Sequence, residues 1–110
     1  MARDFLGGFE LVVLLALIRL GDDAYGVPIA EAVEASSGRD VAVARVYITL
    51  DRLERKGLVQ SRLGEPTPER GGRAKTYFRI TAKGLREVRR ARQTLIKLWG
   101  GVRQLEGGMA

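Results

Sequence analysis

The chain has 110 residues, with 19 Lys and Arg side chains against 13 Asp and Glu, and it contains neither cysteine nor histidine. This composition suits one small domain and excludes disulfides, thiolate nucleophiles and the usual zinc ligands, so we expect no enzyme, metal or cofactor. The net charge of +6 is uneven: residues 1–38 carry two basic and six acidic side chains, and residues 39–110 carry seventeen basic and seven acidic. Such a basic segment favours a polyanionic partner, nucleic acid before a membrane, with simple solubility charge as the alternative.

The first predicted helix covers residues 6–20, and its apolar positions extend around nearly the whole helix surface. Its run LVVLLALI is too short for a bilayer, which needs about 20 residues, and the acidic residues before it do not suit a signal peptide. We therefore expect a cytoplasmic protein. So short a chain has few elements to cover this helix, so a second subunit is predicted to cover part of it. The residues predicted at that interface are Leu11, Leu14, Leu15 and Ile18.

A second helix is predicted over residues 26–37. It accepts Pro28 in its first turn, where the missing N–H costs little. Gly38 follows as the C-terminal stop.

The third predicted helix, residues 43–56, has an apolar side and a basic side and ends at Gly57. Val46, Leu50 and Leu53 recur at spacings of four and three and form the apolar stripe. The other side presents Arg45, Ile48, Arg52 and Arg55, with Tyr47 at the edge between the two. The alternative interpretation is an ordinary solvated helix, in which Asp51 and Glu54 pair with Arg55 and its neighbours.

Residues 58–64 and 75–81 alternate β-branched or aromatic residues with polar ones, which predicts two strands. Two prolines and two adjacent glycines between them indicate a turn-rich loop. The loop brings together cationic side chains and small residues: Arg70, Gly71, Gly72, Arg73 and Lys75. Such a tip suits a narrow minor groove, which attracts arginine, although a flexible hairpin with solubility charge is the alternative.

The last helix is predicted from residue 82 to residue 105, with Thr81 as its N-cap. Apolar residues recur on it at alternating spacings of three and four, which predicts pairing with a partner helix. These residues are Leu85, Val88, Leu95, Trp99 and Val102.

This order of elements predicts a mainly α protein with a small β-hairpin, namely a winged helix-turn-helix plus a C-terminal dimerisation helix. We expect a DNA-binding domain over residues 1–81, whose first helix also enters the dimer interface, and a dimerisation helix over residues 82–110. The B-DNA major groove admits one α-helix that is held by an apolar side and reads bases with the other. The third predicted helix meets both conditions.

The DNA contacts are therefore predicted on the third helix and the wing. Arg45 and Arg52 are the best candidates for guanine or phosphate contacts, and Ile48 suits a thymine methyl group. Arg55 and Lys56 are expected nearer the DNA backbone. The full predicted set is Ala44, Arg45, Tyr47, Ile48, Thr49, Arg52, Arg55, Arg70, Gly71, Gly72, Arg73 and Lys75.

Four segments give the chain a family resemblance: AYGVPIAEAVE (24–34), VYITLDRLERKGLV (46–59), EPTPERGGRAKTYFRIT (65–81) and AKGLREV (82–88). The chain resembles the PadR family of transcriptional regulators, in particular its short members with a single C-terminal helix. The resemblance implies a homodimeric repressor that binds a palindromic operator as double-stranded DNA. It also implies an interface built by the first and last helices, with Tyr47 and the basic wing near DNA.

Two features of the resemblance bear on specificity and on an effector. The family often has Gly-Thr before its Val-Tyr pair and Pro after it, whereas this chain has Ala44, Arg45 and Ile48. Some members hold planar drugs against a tryptophan at the dimer centre, so Trp99 is either a platform for a small hydrophobic or aromatic effector or an interface packing residue. The alternative function is a winged-helix protein-interaction module that does not read DNA.

Overall fold

The computed structural model describes residues 5–65 and 74–105. Within them the chain forms four α-helices and one antiparallel hairpin. The helices are α1 (Gly8–Leu20), α2 (Gly26–Ser37), α3 (Val43–Arg55) and α4 (Ala82–Trp99), and the strands are β1 (Val59–Leu63) and β2 (Thr76–Ile80). Short 3₁₀ turns follow α1 (Gly21–Asp23) and α4 (Arg103–Leu105).

The core lies where α1, α2 and α3 pack on one another and on β1. Its fully buried side chains are aliphatic and come from all of these elements: Val13, Leu14, Leu17, Ile29, Val46, Leu50, Leu53 and Val59. The apolar stripe predicted on α3 therefore anchors that helix to the core. The all-round apolar character of α1 is partly explained in the same way, because one side of it is buried within the protomer.

The hairpin is joined to the helices through its second strand. Val59 pairs with Ile80 and Leu63 with Thr76, which fixes the register. The backbone N–H of Phe78 donates to the carbonyl of Ala24 at 2.8 Å, so the segment before α2 is hydrogen-bonded to β2. The predicted fold class, mainly α with a small hairpin and a C-terminal helix, is confirmed.

The start of α4 approaches the hairpin closely. The Thr81 hydroxyl accepts a hydrogen bond from the Gly84 N–H at 3.0 Å, which confirms the predicted N-cap. A Cβ atom on Gly84 would lie 2.3 Å from the Leu58 carbonyl oxygen, so only glycine allows this approach. Gly84 is also the only residue of α4 that is buried.

Most predicted boundaries are met within two residues, and the end of α4 is the main correction. Pro28 lies in the first turn of α2, and Gly38 ends that helix in the left-handed conformation. The last helix was predicted to reach residue 105, but it ends at Trp99 because Gly100 has extended backbone angles. Val102 therefore does not continue the helical stripe. No helix in the described part of the chain is long and apolar enough to cross a membrane.

Candidate nucleic-acid interface

The surface of α3 that faces away from the core is exposed and mainly basic. Six of the twelve residues predicted to contact DNA lie on it and are exposed: Ala44, Arg45, Tyr47, Ile48, Arg52 and Arg55. Ile48 is 61% exposed, which is unusual for a large aliphatic side chain. The arrangement places an apolar side chain between two guanidinium groups on one helical surface.

Thr49 does not lie on this surface, although it was predicted to. Its side chain is only 4% exposed, and its hydroxyl donates to the Arg45 carbonyl oxygen at 2.9 Å. The position falls just inside the apolar stripe, and the hydroxyl is satisfied by its own helix. Thr49 is therefore a packing residue in this structure.

The flank of α3 that faces α1 carries the arginines Arg45 and Arg52. The guanidinium carbon of Arg45 lies 3.9 Å from the centre of the Phe9 ring, a cation–π contact. Between the start of α1 and this flank runs a groove of about 620 Å³, lined by Phe5, Ile48 and Arg52 among others. The groove therefore combines aromatic and aliphatic walls with cationic groups.

Glu10 ties α1 to the end of α3 through an ion pair. It is 5% exposed, and its carboxylate accepts hydrogen bonds from Lys56 Nζ at 2.9 and 3.2 Å. Burial alone would raise the pKa of Glu10, but the Gly7 N–H bond, Lys56 and the charge of Arg52 together lower it below its ordinary value. Lys56, which was expected near the DNA backbone, is thus engaged inside the protein.

Both acidic residues of α3, Asp51 and Glu54, also have partners. Asp51 forms a salt bridge with Arg55 at 2.7 Å, as the solvated-helix interpretation anticipated. Glu54 accepts hydrogen bonds from the Ser61 hydroxyl and N–H, which fixes α3 against β1. These pairs lie away from the α1-facing flank, where Arg45 and Arg52 stand.

Tyr47 leans from α3 onto the first turn of α2. A Cβ atom on Gly26 would lie 2.3 Å from the Tyr47 ring, so the absence of a side chain there lets the ring approach the backbone of α2 closely. The ring remains 40% exposed. This agrees with its expected position at the edge between the two faces of α3.

A cluster of aromatic and cationic side chains lies where the two strands lead into the loop of the hairpin. The Tyr25 and Tyr77 rings meet edge to face with centroids 5.3 Å apart. Lys75 Nζ donates to the Tyr25 hydroxyl at 3.3 Å, and Arg62 lies over the Tyr77 ring at 4.8 Å. Lys75, a predicted DNA contact, is therefore half-buried at the loop end of the strands. The predicted tip residues Arg70, Gly71, Gly72 and Arg73 lie outside the described residues.

The residues predicted at a dimer interface fall into three groups. Leu14 is completely buried inside the protomer and has no surface for a second subunit. Leu15, Ile18, Leu95 and Trp99 are exposed. Leu11, Leu85, Val88 and Val102 are intermediate. On α1, α4 and the turn after α4, four further large apolar residues are exposed and were not among the predicted interface residues: Val12, Ile96, Leu98 and Leu105.

The start of α1 contributes to the basic surface, and this contribution was not predicted from the sequence. Phe9 and Glu10 contact residues of α3 that are far away in the chain. A single carboxylate in the first turn of a helix whose next eight residues are all apolar is a signal for a buried partner, and it was available in the sequence. No local pattern pairs Phe9 with Arg45.

Comparison with known proteins gives the geometry a context. The profile of the PadR-like family of transcriptional regulators matches residues 14–90. A PadR family transcription regulator from Clostridium difficile is similar to this chain with a TM-score of 0.71 and 24% identity, over 84% of this chain and 91% of that one. A PadR-like transcriptional regulator from Bacillus cereus gives a TM-score of 0.71 and 21% identity, over 88% and 89%.

A more similar sequence among these structures is a PadR family transcriptional regulator from Eggerthella lenta. It is 30% identical, with a TM-score of 0.66, over 86% of this chain and 80% of that one. A comparison with curated proteins gave no match. The family consists of transcriptional regulators and not of enzymes, and membership implies DNA binding. The chain belongs to the PadR-like family of transcriptional regulators.

Proposed function

We propose that this protein is a homodimeric repressor that binds a palindromic DNA operator, with α3 in the major groove and the hairpin as the wing. The observation that supports the proposal is that one side of α3 is buried in the core and the opposite side is exposed. Val46, Leu50 and Leu53 are fully buried, while the basic side is exposed. A helix held in this way can enter a groove without losing its attachment to the core.

The side chains of α3 suit different parts of a duplex. Arg45 and Arg52 can donate bidentate hydrogen bonds to guanine or clamp phosphates. Ala44 and Ile48 are small or apolar and suit the methyl groups of thymine. Arg55, which forms a salt bridge with Asp51, suits a DNA phosphate. Lys75 suits the sugar–phosphate backbone of DNA beside the wing.

The proposed dimer uses the exposed apolar residues of α1 and α4. Leu15 and Ile18 on α1 and Leu95 and Trp99 on α4 are all exposed in the single protomer. We assign Trp99 to interface packing because it lies one helical turn from the exposed Leu95 on α4, and a small hydrophobic effector would compete with that packing. Two reading helices would then contact half-sites about 34 Å apart. In this proposal residues 1–81 form the DNA-binding domain, whose first helix also enters the dimer interface, and residues 82–110 serve dimerisation.

The experiment is a fluorescence anisotropy titration with duplex DNA from upstream of the protein's own gene. Six or more phosphate contacts per dimer predict that affinity falls about a thousandfold between 50 and 200 mM salt. We expect Arg52→Glu to weaken binding at least about tenfold.

The matched control is Arg86→Glu, which makes the same charge change on an exposed residue of α4. We expect it to retain nearly all of the affinity. Equal effects of the two variants would mean that only net charge matters and that α3 is not the reading helix. Absence of any salt-sensitive binding would favour the interaction module instead.

A further inference from the structure

One aromatic ring on α1 lies beneath the first arginine of α3. The guanidinium carbon of Arg45 is 3.9 Å from the centroid of the Phe9 ring. A cation held over a ring face keeps the N–H groups on its edges available as donors. Among the described residues no carboxylate forms a salt bridge with Arg45. The ring therefore holds this guanidinium without using its hydrogen-bonding groups.

The Phe9 ring is itself held in place. It packs against the hydrophobic core, and the following residue, Glu10, binds Lys56 at the end of α3. Glu10 also accepts a hydrogen bond from the Gly7 N–H at 2.8 Å, which fixes the start of α1. The ring is thus a fixed support next to α3, on the wall of the groove that Arg52 also lines.

We propose that Phe9 is a positioning residue for DNA binding, because its ring holds the Arg45 guanidinium in the conformation that contacts the duplex. This inference rests on the proposed function. A free arginine side chain populates many rotamers and loses that freedom when it binds. A support that is present before DNA arrives raises the fraction of protein that is ready to bind, and the apparent affinity rises by the same factor.

The first test is Phe9→Leu, which keeps apolar bulk against the core and removes the ring face. We expect the dissociation constant for operator DNA to rise about two- to fivefold, the size of an exposed cation–π contact. The control is Phe5→Leu, since Phe5 lines the same groove but is 85% exposed and supports no cation within the described part of the chain. A loss in Phe5→Leu as large as the loss in Phe9→Leu would assign the effect to the apolar wall of the groove and overturn the inference.

A double-mutant cycle separates positioning from packing. In an Arg45→Gln background, Phe9→Leu should have no further effect on affinity, because there is no guanidinium left to hold. The same loss in both backgrounds would assign Phe9 to general packing and overturn the inference. No loss in either background would also overturn it.

A measurement without DNA distinguishes failure of this inference from failure of the proposed function. The Arg45 Nε–H resonance in the NMR spectrum of the free protein should be shifted by the ring current of Phe9 and should lose that shift in Phe9→Leu. If the free wild-type protein shows the ring-current shift but does not bind DNA, the proposed function is overturned, and the positioning role with it. DNA binding that is insensitive to Phe9→Leu, with no ring-current shift, overturns only the positioning role.

Discussion

Helices α3 and α4 both combine apolar and basic residues at helical spacing, yet they meet different fates in the protomer. Four residues of α3 are buried. Only Gly84 of α4 is buried, while Leu98 near its end is 71% exposed. An amphipathic pattern therefore predicts which side of a helix is apolar, but it does not predict whether the same protomer buries that side.

The difference follows from the neighbours of each helix. The apolar side of α3 is enclosed by α1, α2 and β1, whereas α4 contacts only α1 and β2 to any extent. Beyond its first turns α4 extends away from the core, and its apolar residues remain on the surface. Within residues 5–65 and 74–105 nothing covers the apolar residues near the end of α4, and this exposed surface is the basis of the proposed dimer.

The largest expected difference between the two helices is in stability. Leu50→Ala should lower the free energy of unfolding by about 2–5 kcal/mol, because Leu50 is fully buried and its loss leaves a cavity. Leu98→Ala should cost less than about 0.5 kcal/mol in dilute protein. Urea unfolding at several protein concentrations checks this, and the cost of Leu98→Ala should grow with concentration only if α4 is covered in an assembly.

Equal costs of the two substitutions at high dilution would break the comparison. Such a result would mean that α4 is packed within the protomer. Circular dichroism of both variants before denaturation is the control for intact helices.

A second prediction concerns the assembly itself. Leu95→Lys would place a charge on the exposed apolar side of α4, and burying it at an interface should cost about 3 kcal/mol. The dimer should therefore weaken more than about a hundredfold. Analytical ultracentrifugation checks the expected change from dimer to monomer.

Gln93→Lys is the matched control, because Gln93 is an exposed polar residue of the same helix. We expect this variant to remain dimeric. A wild-type protein that is monomeric at micromolar concentration contradicts the proposed interface.

The smallest expected effect concerns the ion pair between Glu10 and Lys56, which anchors α3 and has no counterpart on α4 in the described part of the chain. Because the pKa of Glu10 is lowered on folding, its charged form stabilises the protein above the ordinary carboxylate pKa of about 4.3. That contribution is lost as the pH falls through the folded value. Glu10→Gln should cost about 1–2 kcal/mol at pH 7. Unfolding measured from pH 7 to pH 3 should show that the difference between wild type and Glu10→Gln shrinks with acidification, and a constant difference would contradict it.

Local signals predicted most of the fold. Thr81, Pro28 and Gly38 are cap or breaker residues, and each lies at the helix boundary that the sequence indicated. The predicted end of α4 was wrong because Gly100 is compatible with both helical and extended backbone, and the spacing of apolar residues continues past it. Local propensity does not decide such a case.

The site was predicted less completely than the fold. Helical spacing identified the exposed basic side of α3, because that side is the complement of a clear apolar stripe. It misplaced Thr49, which lies at the margin of the stripe, and it had no means to identify Leu14 as buried, since α1 is apolar on nearly all sides. Lys56 was predicted to lie near the DNA backbone, whereas its ammonium group forms an ion pair with Glu10.

The sequence by itself determined the elements, their order and the basic character of α3, because capping, periodicity and charge act over a few neighbouring residues. Only the tertiary structure decided which side of α1 is buried and that Phe9 supports Arg45. It also decided that Glu10 meets Lys56, 46 residues away. These contacts depend on how whole helices cross, and helix crossing is set by packing of the shared core and leaves no local pattern in the chain.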